Sequence, residues 1–282
     1  MPEDPLVDAE WLHEHLADPQ VKIVDSSWYL PGDPRDPKAE FLAARIPGAV
    51  FFDIDDVADK SSPLPHMAPP PEQFALQAGA LGIDGEDIVV VYDAAGLTAA
   101  ARAWWTFRLF GHGRVFVLDG GLPAWRAEGR PLEHGPAQSP RPAHYPAALK
   151  PELVRSLADV RGDLDTRHAQ VLDVRPAARF RGEAPEPRAG VRPGHMPGAV
   201  SLPVTELASP DGRLRPAEAL VGAFKAVGVD LDRPIVTSCG SGVAACTAVL
   251  ALARLGRWDA AVYDGSWTEW GSQADTPVVT GP

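Results

Sequence analysis

Short apolar runs alternate with longer segments of helical spacing along this chain, and the alternation occurs twice. Asp87-Ile88-Val89-Val90-Val91-Tyr92 is continuous and β-branched, the pattern of a strand covered on both faces. Val115-Phe116-Val117-Leu118 repeats it, and Ile235-Val236-Thr237-Ser238 and Ala260-Ala261-Val262-Tyr263 are the counterparts later in the chain. Between these runs lie segments rich in Ala, Leu and Trp that predict helices over about 99–110 and 244–255. Gly111 and Gly256 follow them, where a helix commonly ends in a left-handed residue.

The tripeptides around these elements recur in the same order. Ile23-Val24-Asp25 matches Val171-Leu172-Asp173, and Ile46-Pro47-Gly48-Ala49-Val50 matches Met196-Pro197-Gly198-Ala199-Val200. Gly82-Ile83-Asp84 matches Gly228-Val229-Asp230. Asp119-Gly120-Gly121 with Trp125 matches Asp264-Gly265-Ser266 with Trp270. One such match is commonplace, whereas several in register indicate an internal duplication. Strand–helix–strand alternation implies a mostly parallel sheet flanked by helices. The expected architecture is therefore α/β, with two tandem domains of the same kind: residues 1–135, a Pro- and Ala-rich linker over 136–151, and residues 152–282.

Composition narrows the function. A formal net charge of −12 repels phosphate backbones and anionic lipids, so neither nucleic acid nor a membrane surface is an expected partner. No stretch of ~20 apolar residues predicts a membrane span. The opening Met1-Pro2-Glu3-Asp4-Pro5 is acidic with no apolar run behind it, which predicts no signal peptide. Two cysteines, Cys239 and Cys246, supply neither a disulfide framework nor a four-cysteine zinc site. A reducing, cytoplasmic setting is the expectation, and no metal or organic cofactor is called for.

Cys239 is the candidate for chemistry. It follows an apolar strand and precedes Gly240-Ser241-Gly242-Val243-Ala244 and then a helix. In such a turn, successive N–H groups can converge on one point, and the helix start adds positive potential; both favour a thiolate. Open α/β sheets bind ligands at the carboxyl ends of their strands, where this loop falls. The matching loop of the first half, Asp93-Ala94-Ala95-Gly96-Leu97-Thr98, carries Asp93 in place of the cysteine, so one half is expected to be catalytic and the other a scaffold. Cys246, seven residues on, is expected in the core.

The run Cys239-Gly240-Ser241-Gly242-Val243-Ala244-Ala245-Cys246 resembles the active-site loop of the 3-mercaptopyruvate sulfurtransferases of the rhodanese superfamily. Tyr263-Asp264-Gly265-Ser266-Trp267-Thr268-Glu269-Trp270 resembles their C-terminal signature. The resemblance implies two rhodanese-like domains with the site at their interface. It also implies a Cys239 persulfide, with 3-mercaptopyruvate as donor and cyanide, thioredoxin or another thiol as acceptor. Arg179 and Arg188, in Arg179-Phe180-Arg181-Gly182-Glu183-Ala184-Pro185-Glu186-Pro187-Arg188, match the arginines that hold the substrate's carboxylate and ketone, and Arg181 is left as solvated surface. A planar guanidinium suits that task by donating two parallel hydrogen bonds. Ser241, His66 and Asp55 match a proposed serine–histidine–aspartate relay, and Gly240, Gly242, Val243 and Ala244 would line the bound sulfur. Trp267 and Trp28 are candidates to wall the pocket.

Rival readings differ in specific residues. Thiosulfate sulfurtransferases usually carry basic side chains after the cysteine, where this chain has Gly240 and Ser241. The cysteine-dependent phosphatases on the same scaffold need a longer loop ending in an arginine, where this chain has Ala245. Rhodanese-like binding modules often lack the cysteine, so Cys239 argues against that reading.

Overall fold

The computed structural model describes residues 4–282 and divides into two compact units. The first contains the chain up to Lys60, Ala68–Lys150 and Ser209–Leu214; the second contains Ser61–Met67, Pro151–Ala208 and Arg215–Pro282.

In the first unit, the elements in chain order are β1 (Leu6–Val7), α1 (Ala9–Glu14), β2 (Val21–Asp25), α2 (Pro37–Ala43), β3 (Val50–Phe51), α3 (Ile54–Val57), α4 (Pro71–Ala80), β4 (Ile88–Tyr92), α5 (Thr98–Leu109), β5 (Val115–Leu118) and α6 (Gly121–Ala127). The strands form one parallel sheet in the order β1-β5-β4-β2-β3. β4 lies at its centre, and Val89 to Tyr92 are fully buried, as the unbroken apolar run requires. α5 is buried on every side, from Ala99 to Leu109, with Trp104, Trp105 and Phe107 filling the core. Local chemistry sets the shorter helices: Asp8 and Asp36 cap α1 and α2, and Pro37 opens α2 where its missing N–H costs nothing.

The second unit repeats this plan with β6 (Val154–Arg155), α7 (Leu157–Thr166), β7 (Gln170–Asp173), α8 (Ala177–Phe180), β8 (Val200–Ser201), α9 (Ala217–Ala226), β9 (Ile235–Ser238), α10 (Ala245–Arg254), β10 (Ala261–Tyr263) and α11 (Ser266–Trp270). Its parallel sheet runs β6-β10-β9-β7-β8, the same order as in the first unit. Each sheet is therefore the mostly parallel sheet that the alternating pattern predicts. Ser156 and Asp159 form a reciprocal capping box at the start of α7. α10 is buried from Ala245 to Ala253, and Cys246 in its first turn is fully buried, its thiol 3.2 Å from the Gly242 carbonyl.

Residues 136–150 carry no helix or strand and run along the first unit. Ala143 donates to Gly79 O (2.8 Å), while Ala148 and Lys150 donate to Phe110 O (3.0 Å) and Leu109 O (2.7 Å). Tyr145 anchors the segment, packed edge-on to Phe74 and stacked on His112. Ser209–Leu214 belongs to the first unit through contacts such as Leu214 N–H to Asp119 Oδ1 (2.9 Å).

Candidate active site

The Cys239 loop leaves the carboxyl end of β9 and turns into α10. Cys239 is 3% exposed; Ser241, Gly242 and Val243 are buried, and Gly240 and Ala244 are half-buried. Its backbone is pinned from the neighbouring turn between β10 and α11. Cys239 N–H donates to Ser266 Oγ (3.2 Å), and Ser266 Oγ in turn donates to Tyr263 O (2.8 Å). Trp267 N–H donates to Cys239 O (3.0 Å), while Thr268 N–H and Oγ1 both donate to Gly240 O. Among the described residues, none accepts a hydrogen bond from the N–H groups of Gly240, Ser241, Val243 or Ala244. Buried amides in such a turn are the donors that an anionic sulfur would collect.

The first unit shows this arrangement in use. Asp93, at the cysteine's position, is 1% exposed and accepts from the N–H groups of Ala95 (2.9 Å), Ala100 (2.9 Å) and Gly96. Burial pushes its carboxyl up, and the amide bonds oppose that shift. The first unit's loop thus gathers its amides on a buried side-chain carboxyl group, while in the second unit the N–H groups of Gly240, Ser241, Val243 and Ala244 have no such acceptor among the described residues.

Arg179 comes from the end of α8 and reaches this loop. Its Nη2 lies 3.2 Å from where a Cβ on Gly240 would stand, so its guanidinium edge covers the bare backbone of residue 240. Arg179 pairs with Glu186, which is 4% exposed at its side chain and also binds Arg175 (2.8 Å). Arg175 is buried, grips Asp173 through Nε and Nη2, donates to Gly194 O (2.8 Å) and stacks 4.3 Å from the Trp267 ring. Arg188 is half-buried, and no described carboxylate lies within ion-pairing distance of it. Arg181 pairs with Glu183 in the open (2.7 Å).

Cys239, Ser241, Arg179, Arg188 and His66 fall in the second unit, and Asp55 falls in the first. His66 is buried and has φ of +60°, a left-handed conformation that histidine adopts rarely. Asp55 lies in the first turn of α3 and accepts from Trp28 Nε1 (2.9 Å). Trp267 is fully buried beneath Arg175, with its ring N–H on Arg192 O (2.9 Å).

Sequence reasoning missed Ser266, Arg175 and Glu186 as structural partners of the site. One signal for Ser266 was available: Gly121 occupies its place in the duplication. Both have positive φ, +53° for the glycine and +51° for the serine. A serine held in a glycine's conformation implies a task for its hydroxyl.

The rhodanese-like domain family model matches residues 8–128 and again 156–273. The chain belongs to the rhodanese family. Its relatives there include the human 3-mercaptopyruvate sulfurtransferase, 45% identical over 94% of this chain and 91% of that protein. The 3-mercaptopyruvate sulfurtransferase of Escherichia coli K12 is 45% identical, with 96% of each covered. A mitochondrial thiosulfate/3-mercaptopyruvate sulfurtransferase of Arabidopsis thaliana is 43% identical over 98% of this chain and 78% of that protein. Among solved rhodanese structures, SseA from Escherichia coli superposes with a TM-score of 0.86 at 42% identity, covering 94% of this chain and 99% of SseA.

Proposed function

We propose that this protein is a 3-mercaptopyruvate sulfurtransferase with Cys239 as its sulfur carrier. The observation that carries the reading is the pairing of a neutral loop, Cys239-Gly240-Ser241, with a guanidinium laid along it from Arg179. The near-full-length identity with proteins named for this activity supports it.

The Cys239 thiolate attacks the donor's sulfur. The new S–S bond forms as the C3–S bond breaks, and the bonding pair passes to carbon as the enolate of pyruvate. Arg179 and Arg188 hold the carboxylate and ketone oxygens and stabilise the charge that develops there. Protonation at C3 yields pyruvate, and Ser241, His66 and Asp55 are the residues assigned to delivering that proton. The loop residues Gly240, Gly242, Val243 and Ala244 surround the outer sulfur. An acceptor thiol, such as that of thioredoxin, or cyanide then attacks that sulfur and releases the Cys239 thiolate. This is ping-pong covalent catalysis, suited to the reducing cytoplasm.

Intact mass spectrometry after incubation with 3-mercaptopyruvate, alongside pyruvate release, tests the reading. The expected result is a gain of one sulfur atom at Cys239 that cyanide removes, with both signals lost in Cys239→Ser. No pyruvate and no mass gain in the wild type overturn it. A higher kcat/KM for thiosulfate than for 3-mercaptopyruvate reassigns the donor.

A further inference from the structure

Four charged side chains of alternating sign connect the end of β7 to the Cys239 loop: Asp173, Arg175, Glu186 and Arg179. Asp173 and Arg175 are buried, and their side chains are joined by three hydrogen bonds of 2.6–3.0 Å. Glu186 joins the two arginines. Its Oε1 accepts from Arg175 Nη1 (2.8 Å) and from Arg179 Nε (3.3 Å), and its Oε2 accepts from Arg179 Nη2. The Arg179 side chain is 21% exposed at the far end, and each of the other three is at most 4% exposed.

The charges in this series cancel. A long flexible arginine beside a catalytic loop would ordinarily sample many rotamers, and ordering it on substrate binding has an entropic cost. Here the Nε–Nη2 edge of Arg179 is already held by a carboxylate that is itself fixed by a buried guanidinium. The Nη2 corner of that held edge lies 3.2 Å from the Cβ position of Gly240, and Nη1, which Glu186 does not hold, lies 4.0 Å from it. A substrate carboxylate arriving there adds one negative charge to a neutral series, and Arg188, which has no described carboxylate partner, supplies the balancing positive one.

We propose that Glu186, anchored by Arg175, is the positioning residue that presets Arg179 for the donor's carboxylate. The proposal rests on the mercaptopyruvate reading of the site. Glu186 touches no reacting atom; its effect passes through the orientation of Arg179. The task thus divides between two arginines: Arg179 contributes a fixed direction, and Arg188 contributes uncompensated charge.

The test is a double-mutant cycle on pyruvate release. Glu186→Gln replaces an acceptor with an amide N–H facing a guanidinium, and is expected to raise KM for 3-mercaptopyruvate about tenfold with a smaller change in kcat. Glu186→Asp keeps the charge but shortens the reach and is expected to fall between the two, which also guards against a folding defect in the glutamine variant. In an Arg179→Ala background, the same Glu186→Gln change is expected to add nothing. A donor with the ketone but no carboxylate, mercaptoacetone, is expected to show no Glu186→Gln penalty, which a merely structural role would not spare. A wild-type KM in both Glu186 variants overturns the proposal, as does an undiminished penalty in the Arg179→Ala background. A wild type that releases no pyruvate, or an Arg179→Ala variant with normal KM, refutes the underlying reading of the site instead.

Discussion

The duplicated aspartates Asp25 and Asp173 make a quantitative comparison, because one has a cation and the other does not. Both end the strand beside the central one and both are buried. Asp173 faces Arg175, while in the first unit Ser27 stands two residues after Asp25 and donates to it through N–H (2.9 Å) and Oγ (2.5 Å). Burial without a cation pushes the Asp25 carboxyl up from 3.8 to about 6; the Ser27 bonds oppose the shift, and the neighbouring Asp93 charge adds to it. A rise of roughly two pH units corresponds to about 3 kcal/mol of folding free energy. The sign follows from proton uptake. The folded state holds the proton up to about pH 6 and the unfolded chain releases it near 3.8, so this stability is complete below 3.8 and lost as pH rises through 6. Asp25→Asn never ionises and still accepts from Ser27. Allowing about 1 kcal/mol for an imperfect bond to the new amide group, it is expected to stabilise the first unit by about 2 kcal/mol at pH 7.5. The advantage is expected to vanish by about pH 4. Urea titrations of both proteins at pH 4.0, 5.5 and 7.5, followed by tryptophan fluorescence, measure the gap. A variant less stable than wild type at pH 7.5, or a gap that does not shrink on acidification, refutes the reasoning.

Two further substitutions test other parts of the molecule. Gly240→Ala places a Cβ 3.2 Å from Arg179 Nη2, so the guanidinium is expected to shift by a few tenths of an ångström. That displacement is expected to raise KM for 3-mercaptopyruvate about threefold, with the melting temperature nearly unchanged in a thermal scan. Arg45 is fully buried, paired with Glu133 (2.6 Å) and bonded to Gly135 O (2.5 Å). Arg45→Ala removes the donor to Gly135 O and leaves Glu133 with the Gly48 N–H and water, and is expected to destabilise the first unit by about 1–3 kcal/mol in denaturant titrations.

Much of the fold was legible because duplication and burial both write regular patterns. β4, β5 and β9 were read from unbroken β-branched runs, and α5 and α10 were placed within one residue at each end. The two-residue strands β1, β3, β6 and β8 were not readable, since two residues carry no period. Nor could composition show that residues 136–150, poor in periodic pattern, are fastened to the first unit by Tyr145 and a few backbone bonds. At the site, Cys239 was distinguished by its loop and by Asp93 at the matching place. Glu186 and Arg175 were not distinguished, because eleven residues separate them and charges at that spacing look like solvated surface. Ser266 was within reach of the sequence only through comparison with Gly121.

Asp93 turns the first unit's loop into a socket with a permanent plug. A carboxylate tethered there cannot be washed out or alkylated as a thiol, so thiol reagents have no target at this position of the first unit. The same tether blocks any simple doubling of the enzyme's capacity. Swapping in a thiol at 93 would have to supply an anion for Ala95, Gly96 and Ala100 before it could carry any cargo.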